Sequence, residues 1–174
     1  MADIVPARLN WALSLMRIAP SAQVLEIGCG RGHSIGLVEA LLTTGALTAI
    51  DRSPGMIAAA RARHGVGVAT GKVRLMTGEL AELALPARHF QRAFAINVNL
   101  FWIDASRELP RLASALAQDG IVSLFFELPI GASTARVEAG VRRQFEQGGF
   151  AVTQVDRGEL ASRPLLHLSA RAAG

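Results

Sequence analysis

Val24-Leu25-Glu26-Ile27-Gly28-Cys29-Gly30-Arg31-Gly32-His33 decides the fold of this 174-residue chain. The run Val24 to Ile27 is short and apolar enough to be a buried strand, and glycines at alternate positions after it let the backbone turn tightly. A buried strand feeding a glycine turn opens a doubly wound sheet, in which ligands lie outside the carboxyl ends of the strands. Beyond the turn, Ser34 to Thr44 carries Ile35, Val38, Leu41 and Leu42 at helical spacing, and Gly45 closes it. Leu47 to Ile50 forms a second strand that ends at Asp51. Ser53 and Pro54 supply a cap and a first helical residue for an alanine-rich helix that Gly65 is expected to stop. Val73 to Met76 is a third strand, residues 79–89 form a loop with room for one helical turn, and Phe90 to Val98 is a fourth strand. Ser106 to Gln118 reads as a helix with Leu109, Leu112 and Leu116 inward and Asp119-Gly120 as its stop, followed by a strand from Ile121 to Glu127. A helix over Ser133 to Gln147 breaks at Gly148-Gly149. Phe150 to Val155 and Leu165 to Ala170 then make two strands with no helix between them, the signature of an antiparallel hairpin at a sheet edge.

Ahead of the quoted stretch, Val5, Leu9, Leu13 and Met16 recur every three or four residues, giving a leading helix from Val5 to Ala19 with Pro20 closing it. Strands alternating with helices demand right-handed crossovers and a mainly parallel sheet covered on both faces. The expectation is one α/β domain over residues 1–174, a Rossmann-like three-layer sandwich, with residues 1–20 as its leading helix.

Composition narrows the function classes. Apolar residues make up 51% of the chain, enough for a full core. The single cysteine, Cys29, closes no internal disulfide. Asp3 and Pro6 stand where a secretion signal needs a basic region and an apolar run, so a cytoplasmic setting is expected. Apolar runs such as Ile121 to Phe126 fall far short of the roughly 20 residues that span a bilayer, and no membrane partner is expected. The net charge is +4, but the arginines are scattered singly and there is no tyrosine, which describes a solvated basic surface better than a nucleic-acid interface.

Gly28, Gly30 and Gly32 allow a ligand to approach the backbone with no side chain in between. A dinucleotide fingerprint needs a small residue at position 33 to admit a pyrophosphate, and His33 argues against a nicotinamide or flavin cofactor. Asp51 ends the second strand about 20 residues past the glycines, where a carboxylate reaches the two hydroxyls of a ribose. Glu26 lies inside the first strand, where an unpaired charge is costly, so it should face a cationic ligand group or an N–H donor.

VLEIGCGRG, AIDRSPGMIAAAR, TGELAELALP and FAINVNLFW, in this order and spacing, resemble the class I S-adenosylmethionine-dependent methyltransferases, especially their small-molecule, type 11-like branch. The resemblance covers roughly Val24 to Gly120 and implies a seven-stranded sheet with a reversed last strand. It implies that Glu26 and the loop of Gly28, Cys29, Gly30 and Gly32 hold the methionine part of S-adenosylmethionine. Asp51 would take the ribose, with Arg52 and Met56 beside the adenine. Glu79 would accept from the adenine amino group, the Leu80 backbone would serve the ring edge, and the Asn97 carbonyl would face the methionine ammonium. S-adenosylhomocysteine would be the product.

Glu79 replaces the family's usual aspartate, and Phe90-Gln91 replaces a common Phe-Asp pair. The chain is short for the family, with no cap inserted between strands, so the acceptor site is either shallow or completed by a second copy in a homodimer. A sulfonium methyl donor needs mainly alignment and exclusion of water, and a general base is optional. Of the four histidines His33 is the best placed for that role. Trp11, on the leading helix, and Asn99, Trp102, Asp104 and Glu127, beyond strands four and five, are candidate contacts for a small organic acceptor. The absence of an Asn-Pro-Pro-aromatic run counts against methylation of nucleic-acid bases. No histidine and cysteine cluster suggests a metal. The competing reading is a non-catalytic member of the same fold that binds the cofactor or a partner protein.

Overall fold

In the computed structural model, which describes residues 6–173, the quoted stretch becomes strand β1 (Gln23–Ile27) and the turn that follows it. β1 pairs in parallel with β2 (Ala46–Asp51) on one side and with β4 (Phe90–Ile96) on the other. β3 (Val73–Thr77) extends the sheet beyond β2, and β5 (Leu116–Glu127) lies beside β4. The hairpin of β6 (Phe150–Leu160) and β7 (Arg163–Ala172) completes a seven-stranded sheet of order β3-β2-β1-β4-β5-β7-β6. β7 runs antiparallel to both neighbours and lies between β5 and the outermost strand, β6.

Alternation along each strand divides the core between two faces, as successive side chains of a strand must. Leu25 and Ile27 join Phe101, Leu109, Leu112, Val141 and Phe145 on one face, beneath α5 (Leu100–Ile103), α6 (Glu108–Ala115) and α7 (Thr134–Gln147). Val24 joins Ala12, Met16, Ile35, Val38, Ile57 and Ala60 on the other, beneath α1 (Ala7–Met16), α2 (Ile35–Leu41) and α3 (Pro54–Arg63). Local chemistry starts two of these helices. The Ser53 hydroxyl accepts from the Met56 N–H with Pro54 at the first position of α3, and the Ser133 hydroxyl accepts from the Ala135 N–H ahead of α7. Buried Gln144 fastens α7 to the segment after β4, accepting from the Ala105 N–H at 3.0 Å and donating to the Ile103 carbonyl at 3.1 Å.

The structure differs from the sequence expectation chiefly at the ends of elements. The leading helix covers Ala7–Met16 only, and Val5 lies outside the described residues. The alanine-rich helix α3 does stop just short of Gly65, at Arg63 with His64 as its cap, but Gly65 then begins an unexpected short α4 (Gly65–Ala69). α6 ends at Ala115 instead of Gln118, because Leu116 pairs across from Phe90 at the start of β5 before a register shift. The four-residue α5 was not expected at all. Among the described residues no helix is long and apolar enough to cross a membrane.

Candidate functional site

The glycine turn leaves β1 at the carboxyl edge of the sheet and is held there by β2. The Gly28 and Cys29 N–H groups donate to the Ile50 carbonyl at 2.9 and 3.0 Å. Gly28 and Gly30 adopt left-handed φ values of +73° and +53°, which favour glycine. A Cβ on Gly28 would stand 2.6 Å from Cγ2 of Val98, whereas one on Gly30 would meet nothing within 4 Å. The turn is therefore packed on one side and open on the other.

Asp51 braces this turn. Its Oδ2 accepts from the Gly30 N–H at 2.8 Å and its Oδ1 from the Ser53 N–H at 2.9 Å, so one carboxylate ties the glycine turn to the start of α3. Its backbone carbonyl takes the Gly78 N–H at 3.0 Å, which fixes the end of β3. His64, at the junction of α3 and α4, donates from Nε2 to the Gly32 carbonyl at 2.7 Å and lies against both Gly32 and Gly36.

Behind the turn stands Glu26, 3% exposed. One of its oxygens accepts from the Ser34 hydroxyl, and the other is buried without a partner. Burial pushes its carboxyl up to about 7, opposed by the Ser34 hydrogen bond and assisted by the charge of Asp51. A cationic ligand group or an N–H donor is expected from the sequence; within the chain its donor is the hydroxyl of Ser34, the residue that precedes α2. Burial together with the Glu26 and Asp51 charges pushes the Cys29 thiol up to about 12, which keeps it protonated and inert.

The turn opens into a cavity of about 660 Å³, within the range of small-molecule sites. Gly28, Asp51, Arg52, Glu79, Leu80 and Asn97, all expected at a cofactor site, line it. Glu26, Cys29, Gly30, Gly32 and Met56 do not. Glu26 and Cys29 are buried behind the wall, and Met56 is exposed on the first turn of α3. Glu79 is half-exposed and pairs with Arg107 at 3.5 Å. Asn97 has a left-handed φ of +57°, and its Oδ1 accepts from the Glu127 N–H at 2.8 Å, joining the ends of β4 and β5. Asn99 and Asp104 also line the cavity, together with Ile103 and Glu108, which the sequence did not single out.

Four expected residues lie elsewhere. His33 is exposed and turned outward, with Nη1 of Arg63 3.0 Å from its Nδ1, so the candidate base is not at the cavity. Trp11 packs edge-on against Phe125 and His167, because α1 lies across the sheet face instead of over the cavity mouth. Trp102 stands one layer back: its Nε1 donates to Asn99 Oδ1 at 3.2 Å, and Arg136 lies over its ring. Glu127 is largely enclosed beside Asn97 and is held by Arg8 at 3.2 Å and Arg163 at 3.5 Å. His64, Val98, Arg8 and Arg163 were missed. Only tertiary contacts give them a role, and no local pattern marks them.

Residues 24–120 match a family model described as a methyltransferase domain. The chain is 33% identical over 114 residues to a trans-aconitate 2-methyltransferase of Methylobacterium nodulans, an alignment that takes in 64% of this chain and 41% of that protein. The chain therefore spans about two-fifths of that relative's length. Among solved structures, a SAM-dependent methyltransferase from Aquifex aeolicus superposes with a TM-score of 0.79 at 18% identity, covering 97% of this chain and 93% of the other. Magnesium protoporphyrin IX methyltransferase from Synechocystis PCC 6803, solved with bound SAM, superposes with a TM-score of 0.68 at 24% identity over 97% and 78% of the two chains.

Proposed function

The chain belongs to the class I S-adenosylmethionine-dependent methyltransferase family, and from that membership we propose that it is an enzyme transferring a methyl group to a small organic acceptor. Asp51 carries the reading. A single carboxylate that braces both the glycine turn and the first turn of α3 also lines the cavity, where its remaining lone pairs suit a vicinal diol.

The residues present fit S-adenosylmethionine. The open side of Gly30 leaves room for close approach to backbone, and Asp51, Glu79, Asp104 and Glu108 outnumber Arg52 on the cavity wall, a field that favours a cationic ligand. When bound, the cofactor supplies an electrophilic methyl carbon on a sulfonium. Asp51 would hold its ribose, Glu79 and Leu80 its adenine, with Arg52 alongside, and Asn97 and the glycine turn its methionine end. Glu26 and Ser34 keep the turn in position from behind. Asn99 and Asp104 also line the cavity, and beside them an acceptor would be aligned and water excluded. Two relatives named for trans-aconitate support an acceptor of small size. The proposal includes a cytoplasmic setting, supported by the lone buried Cys29, and completion of the open cavity by a second copy of the chain.

Calorimetry with S-adenosylmethionine and S-adenosylhomocysteine tests the reading on the wild-type chain and on Asp51→Ala. Binding by the wild type, weakened about tenfold or more in the variant by loss of charge-assisted hydrogen bonds, is expected. Negligible heat with both ligands in the wild type would reject it. Turnover of any acceptor separates the enzyme from a non-catalytic member of the fold.

A further inference from the structure

Beside the cavity, two arginines from distant parts of the chain converge on one carboxylate. Arg8 comes from α1 and Arg163 from the first residue of β7, and both guanidiniums reach Glu127 at the end of β5. Glu127 is joined to the cavity through Asn97, whose side chain takes the Glu127 N–H. The cluster carries a net charge of +1, two guanidiniums against one carboxylate. Arg8 spends one N–H on Glu127, while its enclosed Nε has no partner. An unmet guanidinium donor is unfavourable, and a second carboxylate beside Glu127 would relieve it after a small rotation of the side chain.

The cavity itself, which Arg8, Glu127 and Arg163 adjoin through Asn97 without lining it, has the opposite character. Asp51, Glu79, Asp104 and Glu108 line the cavity with Arg52 as the sole cationic side chain among the lining residues. A cationic donor in the cavity and an anionic acceptor at the arginine pair would thus each meet a field of complementary sign, with Asn97 between them. No histidine lines the cavity.

Resting on the methyltransferase reading, we propose that the acceptor is a small carboxylate, held by Arg8 and Arg163 and methylated on oxygen. A carboxylate is already ionised at neutral pH, so its oxygen attacks without a base. An oxygen lone pair of the acceptor forms the new bond to the methyl carbon as the carbon–sulfur bond breaks, and the sulfur keeps the bonding pair. The products are a neutral methyl ester and a neutral thioether, with no proton released. Arginine suits the binding role because its planar fork meets a carboxylate with two parallel hydrogen bonds.

The test uses the wild-type chain with isotopically methyl-labelled S-adenosylmethionine and a panel of mono-, di- and tricarboxylic acids, each beside its amide, with phenols and amines as further acceptors. Label is expected in products of the acids alone, and mild base should release it as methanol. Arg8→Gln and Arg163→Gln should each raise KM for the acid about tenfold, while affinity for S-adenosylhomocysteine stays within about twofold. Glu127→Gln keeps the shape but frees both guanidiniums, and it should lower that KM, a gain that a purely structural ion pair would not produce. Binding of S-adenosylhomocysteine without base-labile product from any acid would overturn the carboxylate proposal and leave the family reading intact. So would an acid KM unmoved in the Arg8→Gln/Arg163→Gln double variant or raised by Glu127→Gln. No binding of S-adenosylhomocysteine would overturn both.

Discussion

Replacing Glu26 by glutamine should change how stability depends on pH more than it changes stability itself. Glu26 sits within β1, with one oxygen on the Ser34 hydroxyl and the other buried without a partner. Its carboxyl is raised from 4.5 to about 7, first by burial and then by the Asp51 charge. Between those values the native state keeps a proton that the unfolded state has lost. The contribution of Glu26 to stability is therefore fully present below pH 4.5, declines as pH rises towards 7, and stays lost above it. At about 1.4 kcal/mol per pH unit the interval amounts to about 3 kcal/mol. Glutamine cannot titrate, and its carbonyl still accepts from Ser34. His167 works in the other direction: burial lowers its pKa despite the Asp156 hydrogen bond, so its contribution rises with pH towards 6.5. Because His167 is common to both proteins, the difference between them isolates Glu26. Urea unfolding of wild type and Glu26→Gln at half-unit steps from pH 4.5 to 8 should show the wild type losing up to about 3 kcal/mol relative to the variant by pH 7, then running parallel to it. A difference constant to within about 0.5 kcal/mol across the series would refute the assignment of a high pKa to this buried carboxyl.

Two further predictions concern the frame around the site. Gly28→Ala combines a left-handed backbone with a Cβ only 2.6 Å from Val98 Cγ2, and should cost about 2 kcal/mol or more in urea unfolding. Val98→Ala in the same chain should recover the steric part while leaving the backbone part, and failure to recover anything would remove the contact from the account. Gln144→Leu deprives the Ala105 N–H and the Ile103 carbonyl of their partner, and a loss of about 2 to 4 kcal/mol, seen as a lower urea midpoint at unchanged slope, is expected.

What was legible in the sequence was whatever rests on neighbours along the chain. The strand that ends at Ile27, the proline-led helix after Ser53 and the edge hairpin each have a local cause, and they follow from pattern. Element ends decided by a distant partner did not follow: Leu116 belongs to the sheet because Phe90 lies opposite it, whatever the helical spacing of Leu109 and Leu112 suggests. The same division runs through the site. Gly28, Asp51 and Asn97 stand at strand ends, and strand ends can be counted from the sequence. His33 is next to the glycine turn in sequence yet faces out towards Arg63, whereas His64, about 30 residues on, grips the Gly32 carbonyl. Arg8 and Arg163 meet on Glu127 from near opposite ends of the chain, a convergence that no periodicity records.

The position of β7 sets the order in which the sheet can be assembled. Until Arg163–Ala172 has been made, β5 has a free outer edge and β6 has no strand to pair with, since β7 alone lies between them. During synthesis β6 leaves the ribosome before the strand that will hold it, so a nascent chain can close the first five strands and must then keep two unpaired strand edges apart until the last one arrives. Arg163 reaches Glu127 at the same moment, because it arrives with β7, whereas the glycine turn and Asp51 can form well before. A chain caught between these events would hold a finished glycine turn beside a Glu127 that still lacks one of its two arginines.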